Sequence, residues 1–244
     1  MAELEKNCRA LYEEAFGISP SFDDALFRYA MPQYLRVIAE GDAPRSMLFS
    51  IPYALVTENG KEEARYLYAV ATAKDHRGKG LAKALLKRVI AEGQPLFLRP
   101  SSPSLFAFYQ AAGLTPVSPV QVLAGEAEQN GEALPLKSLS PTAYLAAREA
   151  FLKPPYAVPT ADFLALGYLD GGALALAGEF VAVYEMRGDR ALFKEWLGNT
   201  AFAPRVAAYL GANRYELRTP CAEGTPFGVA ANCPKDLAFL IALD

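Results

Sequence analysis

The segment that most constrains the fold is a strand-like run that passes through a basic, glycine-containing turn into a helix. Residues 66–72 read Tyr-Leu-Tyr-Ala-Val-Ala-Thr, and the turn after them ends in Arg-Gly-Lys-Gly at 77–80. Beyond the turn, Leu81, Leu85 and Val89 recur at helical spacing up to Gly93. A strand joined directly to an amphipathic helix predicts a mixed fold, α/β or α+β, in which helices cover a sheet.

The same turn predicts a site for an anion. A helix N-terminus presents unpaired backbone N–H groups and a partial positive charge, and both suit a phosphate. Gly78 and Gly80 let the backbone approach a ligand, Ala82 keeps the first helical turn small, and Arg77 and Lys79 add positive charge. The spacing fits neither the GxGxxG dinucleotide fingerprint nor the GxxxxGK[ST] nucleotide loop, so both of those sites are excluded.

The flanking sequence adds strands and helices to this unit. Two amphipathic helices are predicted before Pro32, and turn residues then separate three strand-like runs. These runs are residues 34–40, 47–56 and 65–73. After the basic helix, a short apolar run at 95–98 precedes a helix that we expect to begin at Ser102 and Pro103. The pattern predicts a mixed, mostly antiparallel sheet flanked by helices.

A change of composition predicts a second domain. Residues 115–140 contain three prolines around a polar, turn-rich stretch that includes Gly131 and Glu132. We therefore expect an N-terminal domain at 1–118, a linker at 119–138 and a C-terminal domain at 139–244. The second half repeats the order of helices and strands of the first half in outline, without a fixed-period sequence repeat.

Composition excludes several classes of function. The single histidine, His76, and three cysteines without CxxC spacing argue against a metal site and against a serine or cysteine hydrolase with a catalytic histidine. A net charge of −3 gives no reason to expect a nucleic-acid partner. The start of the sequence lacks the pattern of a secretory signal, and no apolar run is long enough to span a membrane. We expect a cytoplasmic protein with no membrane partner.

The basic turn resembles a known family motif. Arg77, Gly80 and Ala82 fill the defining positions of the R/Q-x-x-G-x-G/A pyrophosphate loop of the Gcn5-related N-acetyltransferase (GNAT) superfamily. Residues 108–114 (Phe-Tyr-Gln-Ala-Ala-Gly-Leu) resemble the family's FYxxxGF element at the expected distance. The sequence of residues 68–72 and the tandem layout are most similar to those of the family's enhanced-intracellular-survival-like subset. The resemblance implies a GNAT domain up to about residue 118, followed by a second, degenerate GNAT-like domain.

The resemblance also implies roles for individual residues. The strand before the loop is expected to bind pantetheine and polarise the thioester carbonyl through its backbone, and Tyr109 is expected to protonate the leaving thiolate as a general acid. The implied residues of the acetyl-CoA site are Val70, Ala71, Thr72, Arg77, Gly78, Lys79, Gly80, Leu81, Ala82 and Ser102.

Two departures from the family pattern affect this interpretation. Ser102 stands where many members have asparagine near pantetheine. The strand face with Tyr66, Tyr68, Val70 and Thr72 carries no glutamate to serve as the usual general base. A water relay, Glu40, Glu58 or a carboxylate of the second domain remain as alternatives.

The resemblance implies an acetyl-CoA-dependent N-acetyltransferase that acts on a primary amine by direct attack in a ternary complex. A small-molecule amine is favoured as acceptor over a protein, because a second domain can wall off the acceptor cleft. Two alternatives stay open: an acetyl-CoA-binding sensor or scaffold without turnover, and an acyl- or aminoacyltransferase with another donor. The chain is expected to be a monomer or a homodimer.

Overall fold

The computed structural model of the protein describes residues 2–129 and 133–241. These residues form two compact units whose segments alternate along the chain. The N-terminal unit takes the chain up to Leu55, Asn59–Val117 and Gly228–Lys235. The C-terminal unit takes Val56–Glu58, Ser118–Phe227 and the chain from Asp236 onward.

The N-terminal unit begins with two helices, continues with strands, and ends with helices on either side of a short strand. In chain order its elements are α1 (Ala2–Phe16), α2 (Pro20–Ala30), β1 (Leu35–Glu40), β2 (Ala43–Thr57), β3 (Gly60–Thr72), α3 (Leu81–Ile90), β4 (Leu96–Leu98) and α4 (Leu105–Ala111). A 3-10 turn at Lys74–His76 stands between β3 and α3. The three predicted strands and the basic helix are confirmed, with bounds that shift by a few residues.

The remaining elements complete both units. They are β5 (Thr115–Glu126), β6 (Lys137–Leu139), α5 (Pro141–Glu149), β7 (Tyr156–Pro159), α6 (Ala161–Leu166), β8 (Gly171–Leu176), β9 (Phe180–Arg187), β10 (Arg190–Gly198), α7 (Ala203–Tyr209), β11 (Arg214–Pro220) and β12 (Thr225–Ala231). Strand β5 begins in the N-terminal unit and continues in the C-terminal one, whereas β12 begins in the C-terminal unit and ends in the N-terminal one.

Five strands of each unit follow the same order. In the N-terminal unit the order is β1-β2-β3-β4 and then β12, with β1–β2 and β4–β12 antiparallel and β3–β4 parallel across α3. In the C-terminal unit β8, β9 and β10 are antiparallel neighbours, β11 lies parallel to β10 across α7, and β5 pairs antiparallel to β11. The prediction of a mixed, mostly antiparallel sheet with flanking helices is confirmed.

The structure corrects the predicted domain boundaries. Residues 115–126 of the predicted linker region form strand β5, because they pair with β11 over seven registered positions from Val120 to Glu126. The C-terminal boundary also differs, since Gly228–Lys235 cluster with the N-terminal unit and Val229–Ala231 pair with β4. Parts of the predicted ranges, at 130–132 and 242–244, lie outside the described residues.

The core of the N-terminal unit lies between its sheet and helices α3 and α4. Leu85, Leu86 and Val89 of α3 are buried at helical spacing against Leu96 and Leu98 of β4. Tyr109 of α4 and Val229 of β12 belong to the same cluster. Burial of this apolar face fixes α3 on the sheet, so that its N-terminus lies at the end of β3.

A buried ion pair lies in the core of the C-terminal unit. Arg148 of α5 and Glu195 of β10 are 1% and 0% exposed, and the guanidinium binds the carboxylate in two places, at 2.7 Å from Nε and 3.0 Å from Nη2. Nη1 of Arg148 donates to the carbonyl oxygen of Ala157 at 2.8 Å, and the Tyr144 hydroxyl donates to Glu195. The charges are therefore buried with their hydrogen-bonding capacity largely used.

Candidate active site

A cavity of about 660 Å³ lies in the N-terminal unit, at the point where β3 ends and α3 begins. Its walls come from the end of α1, the end of β3, the turn, the start of α3 and one face of α4. The lining residues are Ala15, Phe16, Val70, Ala71, Thr72, His76, Arg77, Gly78, Gly80, Leu81, Ala82, Lys83, Leu105, Phe108 and Tyr109. Nine of the predicted site residues are among them, and Lys79 and Ser102 are not.

Strand β3 leaves its neighbour β4 before it reaches the cavity. The register between the two strands covers Arg65–Leu96 and Tyr66–Phe97, whereas β3 continues to Thr72. Ala69 interrupts the extended strand with a φ of 54°, in the left-handed region that an alanine rarely adopts. The backbone at Val70 and Thr72 therefore extends past the pairing with β4 and can offer its polar groups to a ligand.

A buried serine on β2 fixes the other edge of β3. The Ser46 side chain is 0% exposed, and its hydroxyl donates to the carbonyl oxygen of Ala71 at 2.9 Å. The same hydroxyl lies 3.1 Å from the hydroxyl of Thr72. The N–H of Ala73 donates to the carbonyl oxygen of Arg45 at 3.0 Å. Strand β3 is thus held on the β2 side and open on the other side.

The N-terminus of α3 has the backbone that phosphate binding requires. Gly78 and Gly80 adopt φ values of 75° and 76°, which only glycine takes without strain. Gly80 is the N-cap residue, and no side chain in the described part of the chain caps this helix. No described atom lies within 4 Å of the position where a Cβ would stand at either glycine, so a ligand has room to approach the backbone.

Arg77 bridges two elements at the rim of the cavity. Its Nε donates to the carbonyl oxygen of Thr72 at 3.0 Å, and its Nη2 lies 3.6 Å from the carboxylate of Glu14 on α1. The side chain is 55% exposed, so it can turn toward a bound anion. Lys79 is exposed and lies outside the lining, whereas Lys83, one helical turn later, lies within it.

Tyr109 is a buried tyrosine in the wall of the cavity. Its side chain is 7% exposed, it lines the cavity, and its ring stands edge-on to Phe108 at 5.1 Å. Burial raises the pKa of the Tyr109 hydroxyl to about 12, because the phenolate would lose its hydration. At neutral pH the group therefore carries its proton.

Ser102 was predicted as a residue of the acetyl-CoA site, but it lies outside the cavity lining. It is half-buried, its hydroxyl lies 2.8 Å from that of Ser104, and it does not line the cavity. Helix α4 begins at Leu105 and not at Ser102 and Pro103. The N–H groups of Leu105 and Phe106 donate to the carbonyl oxygens of Ser102 and Pro103, three residues earlier, so a tighter turn leads into the helix. The predicted helix start is wrong by two residues.

Several lining residues were not predicted. Phe108 and Leu105 flank Tyr109 at helical spacing, and a helical projection of that segment would have found them. His76 and Lys83 lie on either side of the glycine turn, and only Lys83 belongs to the cluster of lysines and arginines there. Ala15 and Phe16 of α1 are distant in sequence, and no local pattern connects them with the turn.

The described lining of the cavity contains no carboxylate that could serve as the usual general base. Among the described residues that line it, none is an aspartate or glutamate. Glu40 forms an ion pair with Arg45. Glu58 precedes Gly60, the first residue of β3, whereas the cavity takes residues from the last positions of that strand. Neither Glu40 nor Glu58 is therefore favoured as the base.

The matching turn of the C-terminal unit is filled by its own side chains. Trp196 is fully buried, stacks on Phe180 at 4.3 Å, and donates from its ring nitrogen to the carbonyl oxygen of Asn199 at 3.3 Å. The side chain of Asn199 accepts the N–H of Ala201 at 3.1 Å. A Cβ at Gly198 would stand 2.2 Å from the carbonyl oxygen of Glu179. This turn offers no open glycine backbone like that at Gly78 and Gly80.

Within residues 2–129 and 133–241, no three histidine, cysteine, aspartate or glutamate side chains come together in a group that could hold a metal ion. None of the helices in that part of the chain has the length and apolar character needed to cross a membrane.

Comparison with solved structures shows the same fold in known acetyltransferases. The GCN5-related N-acetyltransferase from Kribbella flavida is 12% identical with a TM-score of 0.66, over 92% of this chain and 67% of that one. The GCN5-related N-acetyltransferase from Anabaena variabilis ATCC 29413 is 14% identical with a TM-score of 0.64, over 91% and 68%. Eis1 from Mycobacterium abscessus is 13% identical with a TM-score of 0.60, over 92% and 64%. The chain thus spans about two thirds of their length.

Sequence comparison identifies the family of the N-terminal half. No curated protein sequence is significantly similar to the chain. The family model described as an acetyltransferase (GNAT) domain matches residues 2–116, which hold α1 to α4 and the described cavity. Residues 2–116, just under half of the chain, therefore match the GNAT acetyltransferase domain.

Proposed function

We propose that the protein is an acetyl-CoA-dependent N-acetyltransferase that transfers the acetyl group to a primary amine of a small molecule. The observation that carries the proposal is a single cavity that joins the open end of β3, the glycine N-terminus of α3 and a protonated buried tyrosine. Transfer is by direct attack of the amine on the thioester while both substrates are bound. The proposed location is the cytoplasm.

The residues of the cavity suit the parts of acetyl-CoA. The uncapped N-terminus of α3 and the open backbone at Gly78 and Gly80 fit a pyrophosphate, with Arg77 and Lys83 as nearby positive charges. The backbone of Val70 and Thr72, free of β4, fits the amide groups of pantetheine. Lys79 does not line the cavity, so we propose that it acts only as a more distant positive charge.

In the proposed acetyl transfer, two groups of this chain take part: a backbone N–H of β3 and the Tyr109 hydroxyl. Acetyl-CoA supplies a thioester whose carbonyl carbon the neutral amine attacks. A backbone N–H of β3 at Val70 or Thr72 stabilises the oxygen that becomes negative during the attack. When the carbon–sulfur bond breaks, the Tyr109 hydroxyl donates its proton to the thiolate. The amine loses its own proton through water, since the described lining offers no carboxylate.

One observation favours a second candidate function. The described lining lacks an acidic side chain, and an acetyl-CoA-binding sensor or scaffold without turnover needs none. Acyl or aminoacyl transfer from another donor is a further alternative within the same fold. The C-terminal unit, whose strand order matches that of the N-terminal one while its turn is closed by Trp196 and Asn199, is proposed to be a degenerate GNAT-like domain.

Calorimetric titration with acetyl-CoA and with free CoA tests the proposal. We expect micromolar binding at one site per chain. Release of the CoA thiol in the presence of small amines and of lysine peptides then separates an enzyme from a sensor and a small acceptor from a protein. A donor series of acetyl-, propionyl- and succinyl-CoA tests the identity of the acyl group. Absence of CoA binding by the folded protein would contradict both the enzyme and the sensor.

A further inference from the structure

We infer that Glu14 competes with the phosphate groups of the cofactor for Arg77, and that its carboxylate lowers the affinity of the site. The inference rests on the proposed function, because it concerns the same site. It assigns a role to a residue of α1 that lies outside the family motif and carries the charge opposite to that of the motif.

The geometry places one carboxylate at the rim of an anion site. Glu14 lies 3.6 Å from Nη2 of Arg77, and the next two residues of α1, Ala15 and Phe16, line the cavity. The carboxylate and the guanidinium are 47% and 55% exposed, so neither is locked by packing. Glu14 is therefore a partner that an incoming anion can displace.

The two contacts of Arg77 show which interaction is lost when an anion displaces Glu14. Nε is engaged by the carbonyl oxygen of Thr72, which keeps the guanidinium at the turn. Nη2 faces Glu14, so a phosphate oxygen that binds this nitrogen has to displace the carboxylate. Binding of a pyrophosphate then has to break the ion pair and to bring a second negative charge close to the carboxylate. Both effects oppose binding.

Exposed ion pairs are weak, which sets the size of the effect. Such a pair contributes about 0.2–1 kcal/mol, so its removal is expected to lower the dissociation constant for CoA roughly 1.4- to fivefold. An alternative role predicts the opposite sign: if Glu14 holds Arg77 in the orientation that phosphate needs, its removal weakens binding.

The neighbouring residue provides a matched control. Glu13 is on the same helix and its carboxylate accepts a 2.9 Å hydrogen bond from Nε of Arg9, not from Arg77. Glu13→Gln removes the same charge within one residue of Glu14. A general change in surface charge affects both variants alike, whereas competition for Arg77 affects Glu14→Gln alone.

Calorimetric titration of the full chain with CoA and with inorganic pyrophosphate tests the inference, using wild type, Glu14→Gln, Glu13→Gln, Arg77→Gln and the double variant Glu14→Gln/Arg77→Gln. We expect tighter binding by Glu14→Gln, no such gain in Glu13→Gln, and loss of the gain when Arg77 is also replaced. Thermal melting of each variant verifies that it is folded.

The remaining outcomes are distinct. Equal or weaker binding by Glu14→Gln, while wild type binds CoA, overturns the inference and leaves the proposed function intact. A gain that persists without Arg77 also overturns it, because the carboxylate then acts on the ligand directly. Failure of both wild type and Glu14→Gln to bind either ligand overturns the inference together with the proposed cofactor.

Discussion

The side chain of Arg77 closes the turn between β3 and α3 by donating a 3.0 Å hydrogen bond from Nε to the carbonyl oxygen of Thr72. The residue that the family motif presents as a phosphate ligand is therefore also a structural part of the turn. The planar guanidinium can hold Thr72 with one nitrogen and still face an anion with another. A lysine ammonium cannot replace both contacts with the same geometry.

This double role predicts the behaviour of Arg77→Lys. We expect the affinity for CoA to fall roughly three- to tenfold although the charge is kept, which corresponds to the loss of a hydrogen bond of about 1 kcal/mol. Calorimetry measures the change. The control is Lys79→Gln, which removes a charge from the same turn outside the cavity lining, and there we expect less than about a twofold change. Unchanged affinity in Arg77→Lys together with a loss in Lys79→Gln would mean that charge alone matters.

Gly80→Ala should separate backbone strain from ligand contact. At a φ of 76°, alanine costs about 1–2 kcal/mol of folding free energy. Gly93→Ala, at a φ of 83° beyond the other end of α3, should cost a similar amount, and no described atom lies within 4 Å of the added Cβ in either case. Denaturant unfolding measures both. Only Gly80→Ala is expected to lose CoA affinity, since its methyl group projects at the proposed phosphate site.

Tyr109→Phe should affect the rate of transfer and not the binding of the donor. We expect kcat to fall by about tenfold or more, within the range of general acid catalysis, with an unchanged dissociation constant for CoA. An unaffected rate would mean that another group protonates the thiolate.

The raised pKa of Tyr109 also predicts the alkaline pH dependence of wild type. A hydroxyl with a pKa of about 12 stays protonated from pH 7 to pH 10, so ionisation of Tyr109 should cause no loss of kcat in that range. The sign is set by burial, which opposes the phenolate and moves the loss of the acid to higher pH. A kcat that declines with an apparent pKa near 9, and that does so only while Tyr109 is present, would contradict this assignment.

The ion pair in the C-terminal unit predicts a large effect on stability. Glu195→Gln keeps the volume of the side chain but leaves Arg148 charged and buried, which costs about 3–5 kcal/mol of the free energy of unfolding. Glu216→Gln serves as the control, because Glu216 pairs with Arg190 at 3.5 Å with both side chains partly exposed. There we expect a change below about 1 kcal/mol. Urea unfolding of both variants measures the difference.

Local sequence patterns predicted much of the fold and most of the site. The strands before the turn, helix α3 and the glycine turn itself follow from alternation, helical spacing and glycine positions, all of which act within a few residues. Nine of the eleven predicted site residues line one cavity for the same reason. Ser102 is an exception. Its hydroxyl contacts the hydroxyl of Ser104, and the spacing of residues in the sequence does not predict this contact.

Long-range pairing is what the sequence did not reveal. Strand β5 contains Pro116 and Pro119, which indicated a linker, yet its later residues pair with β11 about ninety positions away. Strand β12 contains Pro226 and Gly228, residues that are more typical of a turn, yet it supplies the neighbour of β4. Proline and glycine report local preference, and the partner that stabilises such a strand lies in another part of the chain.

The position of β12 has a consequence for how the protein is made. Residues 228–235 belong to the N-terminal unit, although the ribosome synthesises them after nearly the whole C-terminal unit. At about 5–20 residues per second, roughly seven to twenty-seven seconds separate the synthesis of β4 from that of its partner. During this time the edge of β4 that β12 later covers has no such partner, and an unpaired strand edge is a template for association with other chains.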